Sequence, residues 1–372
     1  MSCDHLIVPS LGKPRSFAKT CAKGSRIFVG FDDAALDGLL SGFDQRVQGA
    51  SRVASVHGVQ LIPLTRLAKG LFAGGIIRAG DYLTQLSLHR GYGSNRVAHV
   101  MRPEVVPPVA KTADRLSRAC FGGYLFDHYG HFLLEGLARV LSTEISASTD
   151  PIVFFNPQRM THLPSYMSTV FSRIGVDPAR IQLCDKPVLV DELRVQEPSF
   201  EIRGFVRPGV YDRLKADVAA AQASQIVYLT RSKLIGRRVI EGESIFAEWL
   251  ARHMAADVIA PETLSLEAQL SKYCGAGYIL GCEGSAFHTL MFLRRTSNAV
   301  IFCSSLPNMN YLLCDELFDG NTIYVRAVQA ERDADGRARW KLDTEVAVKV
   351  VSSVLDAPPG DAAGSAGVGS SS

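Results

Sequence analysis

The chain has 372 residues, of which 47% are hydrophobic, 21% charged and 8% aromatic. That is enough apolar material for one large domain or two ordinary ones, and it excludes an intrinsically disordered chain. Lys and Arg number 40 against 37 Asp and Glu, a net charge of +3, which argues against a nucleic-acid partner held by bulk charge.

The N-terminus, MSCDHLIVPSLGKPRS, sets Asp4 and His5 before a short, broken apolar run. A secretory signal needs a basic start and an unbroken run of about 7–15 apolar residues. No uncharged apolar stretch reaches the roughly 18 residues of a membrane span. A cytoplasmic protein is expected, with docking at the inner face of a membrane left open. The eight cysteines are Cys3, Cys21, Cys120, Cys184, Cys274, Cys282, Cys303 and Cys314. They are scattered and form no Cys-x-x-Cys pair. Buried free thiols in a reducing compartment are expected, and neither a zinc knuckle nor a redox dithiol.

In the first half, Ile27-Phe28-Val29, Ile152-Val153-Phe154-Phe155 and Val188-Leu189-Val190 read as strands. Phe132, Leu133, Leu137, Val140 and Leu141 recur at helical spacing and predict a helix from about Tyr129 to Thr143. Together these suggest an α/β domain over residues 1–205. The stretch 201–210, with Gly204, Pro208 and Gly209, reads as a linker.

The second half is plainer. Ile226-Val227-Tyr228-Leu229, Val258-Ile259-Ala260, Tyr278-Ile279-Leu280 and Ala299-Val300-Ile301-Phe302-Cys303 are short apolar runs, each a buried strand. Helical patterns lie between them, around Phe246, Trp249 and Leu250, then from Leu266 to Tyr273 with Ser265 as N-cap, then over residues 286–293 with Ser285 as cap. Strands alternating with helices mean a parallel sheet, so residues 206–356 read as a Rossmann-like domain. Beyond it come a hairpin turn at Asp333-Ala334-Asp335-Gly336, a helix from about Thr344 to Leu355, and a Gly-, Ala- and Ser-rich tail over 357–372 that cannot bury a core.

Three constellations could carry chemistry. In Asp127-His128-Tyr129-Gly130-His131-Phe132-Leu133-Leu134-Glu135, His131 and Glu135 stand i and i+4, and Asp127 is placed to cap the helix. Such a pair suits general acid–base work, because the carboxylate orients the imidazole. It equally suits a buried, hydrogen-bonded histidine. The run Thr230-Arg231-Ser232-Lys233-Leu234-Ile235-Gly236-Arg237-Arg238 follows directly on a strand and holds four cations and no acid. Strand ends are where open α/β sheets bind ligands, and Arg forks match phosphate oxygens; a plain solvated loop is the alternative. In Gly281-Cys282-Glu283-Gly284-Ser285-Ala286-Phe287-His288, glycines between strand and helix let a ligand approach the backbone and the helix start. Glu283 would repel a phosphate there, and is better suited to hydroxyls or to acid–base work.

These segments resemble glycosyltransferase family 61, in its bacterial, capsular-polysaccharide-type branch. Tyr129-Gly130-His131-Phe132 through Ala138-Arg139 is similar to the family's aromatic-x-His-aromatic helix. Val227-Tyr228-Leu229-Thr230-Arg231-Ser232 is similar to its strand with a terminal Arg-Ser, and Pro261-Glu262 through Gln269 to its Pro-Glu-x-Leu-Ser-x-x-x-Gln segment. Residues 281–293 resemble its Gly-x-His-Gly-Ala block, with Glu283 where His is commoner and Thr289 or Leu290 near its Asn. The resemblance implies a GT-B architecture, two Rossmann-like domains facing across a cleft. It implies an inverting transfer from a nucleotide sugar to a glycan acceptor, with no metal and no other cofactor. On that basis 1–205 is the acceptor side and 206–356 the donor side. From the i, i+4 geometry His131 or Glu135 is expected to remove the acceptor proton, with Asp127 or the other member of the pair orienting it and Glu283 ranked third. Donor binding falls to Arg231, Ser232, Arg237, Arg238, Glu262, Gln269, Gly281, Gly284, Ser285, Ala286 and His288. The competing readings are a non-catalytic nucleotide-sugar or polysaccharide-binding protein, and a pyruvyl transferase acting on a glycan. The sugar, the base, the acceptor and the oligomeric state leave no mark in the sequence.

Overall fold

The computed structural model describes residues 11–68, 71–83, 86, 100–101, 114–215, 224–234, 239–294, 297–332 and 338–356. The chain is mixed α/β, built on two large sheets.

The first sheet holds the four expected parallel strands, at Ile226–Leu229, Asp257–Ile259, Tyr278–Cys282 and Asn298–Cys303, and a fifth that was not expected, Thr322–Arg326. Each is a short apolar run because each is covered on both faces. Ile226, Tyr228, Leu280, Val300 and Phe302 pack under the helices Glu243–Met254 and Thr344–Asp356. Val227, Leu229, Ile279 and Ile301 pack under the helix Leu266–Cys274. Fully burying each such side chain is worth about 1.5–3 kcal/mol, which sets the register. Ser265 caps Leu266–Cys274 as expected, its hydroxyl accepting the Ala268 N–H at 3.2 Å.

The order within this sheet decides where a ligand fits. Asp257–Ile259 lies at one edge, beside Ile226–Leu229, and Tyr278–Cys282 lies on the other side of Ile226–Leu229. The connection after the first of these strands therefore runs one way and the next runs back past it. A crevice opens between the carboxyl ends of Ile226–Leu229 and Tyr278–Cys282, the switch point of the sheet.

Two further strands come from the chain start. Ser25–Val29 pairs in parallel with Thr322–Arg326, and Arg15–Ala18 pairs antiparallel with Ser25–Val29. Residues 15–29, expected in the first half's domain, thus extend the sheet of the second half. Phe28 stacks on Tyr324 at 5.3 Å, and buried Arg26 reaches Asp315 and Glu316. Local sequence could not announce partners almost 300 positions away.

The second sheet is mixed. Val53–Ala68 pairs antiparallel with Leu71–Arg78 and with Val188–Gln196. Val188–Gln196 then begins a parallel set with Asp114–Tyr124, Ile152–Phe155 and Ile181–Cys184. The stretch read as a linker is a small hairpin, Phe200–Glu201 with Phe205–Val206, followed by a 3-10 turn at Pro208–Arg213. Val206 and Tyr211 are buried in the core, which ties the segment down. The two sheets share that core: Leu125, Phe132, Phe154 and Phe171 belong to one cluster with Leu229, Phe287 and Leu313.

The hairpin Val328–Arg332 with Ala338–Leu342 and the helix Thr344–Asp356 agree with expectation. The turn 333–336 and the tail 357–372 lie outside the described residues. No helix among the described residues is long and apolar enough to cross a membrane. Six described cysteines are buried free thiols and Cys21 is an exposed one; Cys3 lies outside the described residues.

Candidate active site

A cleft of about 760 Å³ opens at the switch point. Leu229, Thr230 and Arg231 form one side of its floor, and Cys282 to Phe287 the other. Asp127, His128 and Tyr129, with the helix Ser165–Arg173, come across from the second sheet and close it. Asn308 and Tyr311 complete the wall from beyond the last of the sequence motifs.

Arg231 is the cation at the floor. Its Nη1 donates to the Glu283 carbonyl at 2.7 Å, and its Nε is buried with no hydrogen-bond partner among the described residues. The guanidinium lies so close over Gly284 that a Cβ there would stand 2.4 Å from Nη1. Gly284 thus makes room for the arginine. Of the rest of the basic run, Ser232 is exposed, bonded to Thr230 and not part of the cleft lining. Arg237 and Arg238 lie outside the described residues.

Beyond Gly284 the chain turns as a 3-10 helix, Ser285–Phe292, not an α-helix, and Ser285 is its first residue, not its cap. Ser285 and Ala286 line the cleft, where the first N–H groups of a helical turn lack partners within it. Glu283 lines it too. Its Oε1 accepts the Ser304 hydroxyl at 2.5 Å, which fixes the carboxylate at the strand end. Gly281 lies inside its strand, buried against Leu229, and does not reach the cleft.

Glu262 and Gln269 stand on the same wall. Gln269 Nε2 donates to the carbonyls of Pro261 and Leu264 at 2.8 and 3.2 Å, so its amide orientation is set and Oε1 has no partner among the described residues.

The His131–Glu135 pair forms as the spacing implied, His131 Nδ1 standing 2.5 Å from Glu135 Oε2. The helix around it does not. Tyr129–His131 is a single turn, Phe132–Gly136 opens into a wider π-type turn, and the expected run to Thr143 ends there. The cap is also different. His128 Nδ1 accepts the His131 N–H at 3.4 Å, while Asp127 is exposed and accepts the Tyr166 hydroxyl at 3.2 Å. Asp127 and His128 line the cleft; His131 and Glu135 do not, though the His131 side chain is 38% exposed. The His128 ring packs edge-on against His131, with centroids 4.9 Å apart. Arg139, also part of the helix-like motif, is a buried fastening whose Nη1 donates to the Gln196 carbonyl at 2.7 Å.

At Gly130 the two halves touch. A Cβ there would meet Ser285 Cβ at 2.9 Å, and next door the Tyr129 and Thr289 hydroxyls are 2.8 Å apart. Burial lifts the Tyr129 phenol to about 12, so it stays protonated near neutral pH.

His288 was placed on the donor side, but it is buried behind this contact. Its Nδ1 is 3.5 Å from Cys314 Sγ and its ring lies against Tyr311. Burial, with the neighbouring His131 and His128 adding to it, lowers its pKa to about 4. The native ring stays neutral while the unfolded one takes a proton below about 6.5. Stability conferred by the neutral ring is therefore complete above pH 6.5 and is lost as pH falls towards 4. The full loss is on the order of 3 kcal/mol. Urea unfolding between pH 4 and 7 is expected to show this slope, and His288→Gln to flatten it. An equal slope in the variant would assign it to other groups.

The residues that sequence reasoning missed are Tyr129, Tyr166, Ser304, Asn308, Tyr311 and the buried Glu243 described below. Only Tyr129 lay inside a recognisable motif. The others reach the site from helices and strand ends whose facing partners the local pattern does not reveal.

Residues 129–300 match the model of the family described as Glycosyltransferase 61, a span that contains Arg231, Glu262, Gln269 and Glu283. No curated protein matches the chain. Over residues 129–300 the chain is thus similar to the glycosyltransferase 61 family.

Proposed function

We propose that the cleft binds a nucleotide-sugar donor and transfers its sugar, with inversion, to a glycan acceptor of a capsule or other surface polysaccharide. The single observation that carries this is Arg231: an arginine at the switch point, lining the cleft and anchored through Nη1 on the Glu283 carbonyl. A phosphate takes two N–H groups of one guanidinium at once. The adjacent start of Ser285–Phe292 adds main-chain donors.

In the reaction the Glu283 carboxylate takes the proton of an acceptor hydroxyl. That oxygen attacks the anomeric carbon from the side opposite the diphosphate. The bond from anomeric carbon to diphosphate oxygen breaks, and the departing charge is met by Arg231 and the turn. This reverses the order of candidates given by the sequence. Glu283 lines the cleft, whereas His131 and Glu135 do not. We assign that pair the task of holding the wall that carries Asp127 and His128.

The charge that a metal would supply is supplied here by the arginine, and no further cofactor enters. The halves on either side of the cleft support a GT-B-like arrangement. Buried free thiols support a reducing, cytoplasmic setting.

The test is release of free nucleoside diphosphate from a panel of nucleotide sugars, assayed in excess chelator. Turnover of one donor is expected. Binding without turnover would favour the carrier reading, and binding of phosphoenolpyruvate alone the pyruvyl transferase. Arg231→Ala is expected to weaken diphosphate binding about 10- to 150-fold, as for a lost charged hydrogen bond. Wild-type affinity in that variant would make the basic run a solvated loop.

A further inference from the structure

Beneath the cleft lies a carboxylate that the proposed reaction does not use. Glu243 is the first residue of the helix Glu243–Met254 and is only 2% exposed. Its Oε1 accepts the main-chain N–H of Arg231 at 2.7 Å, and the Tyr228 hydroxyl stands 3.5 Å from the same oxygen. A glutamate that merely favoured a helix start would sit in water, where the helix dipole already rewards it. Burying the charge is costly unless its oxygens are bonded. The cost is accepted at the residue from which the cleft's cation projects.

The ladder shows why an acceptor is needed. Ile226–Leu229 pairs with both neighbouring strands up to Leu229, and the Thr230 N–H still reaches the Ile259 carbonyl at 2.8 Å. One residue later the strands have diverged. The Arg231 N–H would point at nothing, and the chain would leave the sheet in no fixed direction. Glu243 supplies the missing acceptor. The far end of the same residue is tied by Nη1 to the Glu283 carbonyl. With both ends held, the direction of the guanidinium at the cleft floor is fixed.

We propose that Glu243 is a positioning residue: by accepting the Arg231 main-chain N–H it sets the direction in which that guanidinium enters the cleft. The proposal rests on reading the cleft as a phosphate site, and it requires an oxygen at that place more than it requires a charge. Gln keeps the acceptor oxygen at the same reach. Asp keeps the charge but is one methylene short.

The experiment uses the full chain, with UDP and GDP titrated separately by calorimetry, and the 15N–1H signal of Arg231 Nε identified by its loss in Arg231→Lys. Glu243→Ala and Glu243→Asp are expected to weaken diphosphate binding about tenfold or more, as Arg231→Ala does. Either change on top of Arg231→Ala is expected to add nothing, because a residue acting through Arg231 has no effect once that side chain is gone. Glu243→Gln is expected to bind like wild type. Additive losses, or a Gln variant as weak as the Ala one, would overturn the proposal. If Glu243→Ala does not fold, the Asp and Gln variants decide by the same comparison. If wild type binds neither diphosphate, the reading of the cleft fails, and the Nε signal then decides the positioning role alone. A signal sharp in wild type and Gln but lost in Asp supports it, and one unchanged in Asp overturns it.

Discussion

Glu283→Gln is expected to lower turnover by about 10²–10⁴, the range for loss of a general base. The substitution keeps the size of the side chain and an oxygen that can still accept the Ser304 hydroxyl, so the turn and the Arg231 anchor on the Glu283 carbonyl should survive. Diphosphate affinity is therefore expected to stay near wild type while turnover collapses, which separates chemistry from binding. His131→Ala should behave differently. It removes a ring that is held by Glu135 and is not part of the cleft lining, so a loss of at most about tenfold is expected, with general-base magnitudes reserved for Glu283. Single-turnover rates, with folding checked for each variant, make the comparison. Near-normal rates for Glu283→Gln together with a dead His131→Ala would move the base to the other wall.

The largest loss of stability is expected at Arg26. Its guanidinium is 2% exposed and serves three partners on one segment: Asp315 Oδ2 at 3.2 Å, the Leu312 carbonyl at 2.9 Å, and the Glu316 carboxylate. Its charge also lies over the Phe43 ring, 4.5 Å from the centroid. Asp315 takes the hydroxyls of Thr322 and Tyr324 besides, and Glu316 takes the main-chain N–H groups of Thr20 and Cys21. Arg26→Ala strands two carboxylates inside the protein. Breaking a buried pair from one side costs about 3–5 kcal/mol, several times what an exposed pair is worth. Arg26→Lys should recover little, because one ammonium cannot occupy the positions of Nε and Nη2 together. Urea unfolding at neutral pH measures both variants. A loss below about 1 kcal/mol for Arg26→Ala would mean that the carboxylates find other partners and that the cluster does not hold the chain start to the sheet.

Arg26 also marks the limit of local reading. The strands Ile226–Leu229, Tyr278–Cys282 and Asn298–Cys303 were legible because both of their faces are buried, which writes a continuous apolar run into the sequence. The helix Leu266–Cys274 was legible because its cap and its buried stripe are neighbours in the chain. The hairpin Val53–Ala68 with Leu71–Arg78 went unseen, since its mixed residues acquire meaning only from cross-strand partners. The extended helix expected after Tyr129 failed for a related reason. Leu133, Leu137 and Leu141 are all buried as the spacing implied, but against two sheets at once, and the backbone widens at Phe132–Gly136 to serve both.

The sequence by itself determined the chemistry available at the site. Arg231 at a strand end, Glu283 and Gly284 in a βα turn, and His131 four residues before Glu135 were all visible, because each is a relation between near neighbours along the chain. Tertiary structure alone decided which of them share a cavity. It set Glu283 in the cleft and left the His131–Glu135 pair out of its lining, buried His288, and brought Glu243 beneath Arg231 and residues 15–29 beside Thr322–Arg326. The reason is physical. A side chain's reach is a few ångströms, and beyond one turn or one strand the path of the backbone, fixed by the burial of two sheet faces at once, determines what lies within it.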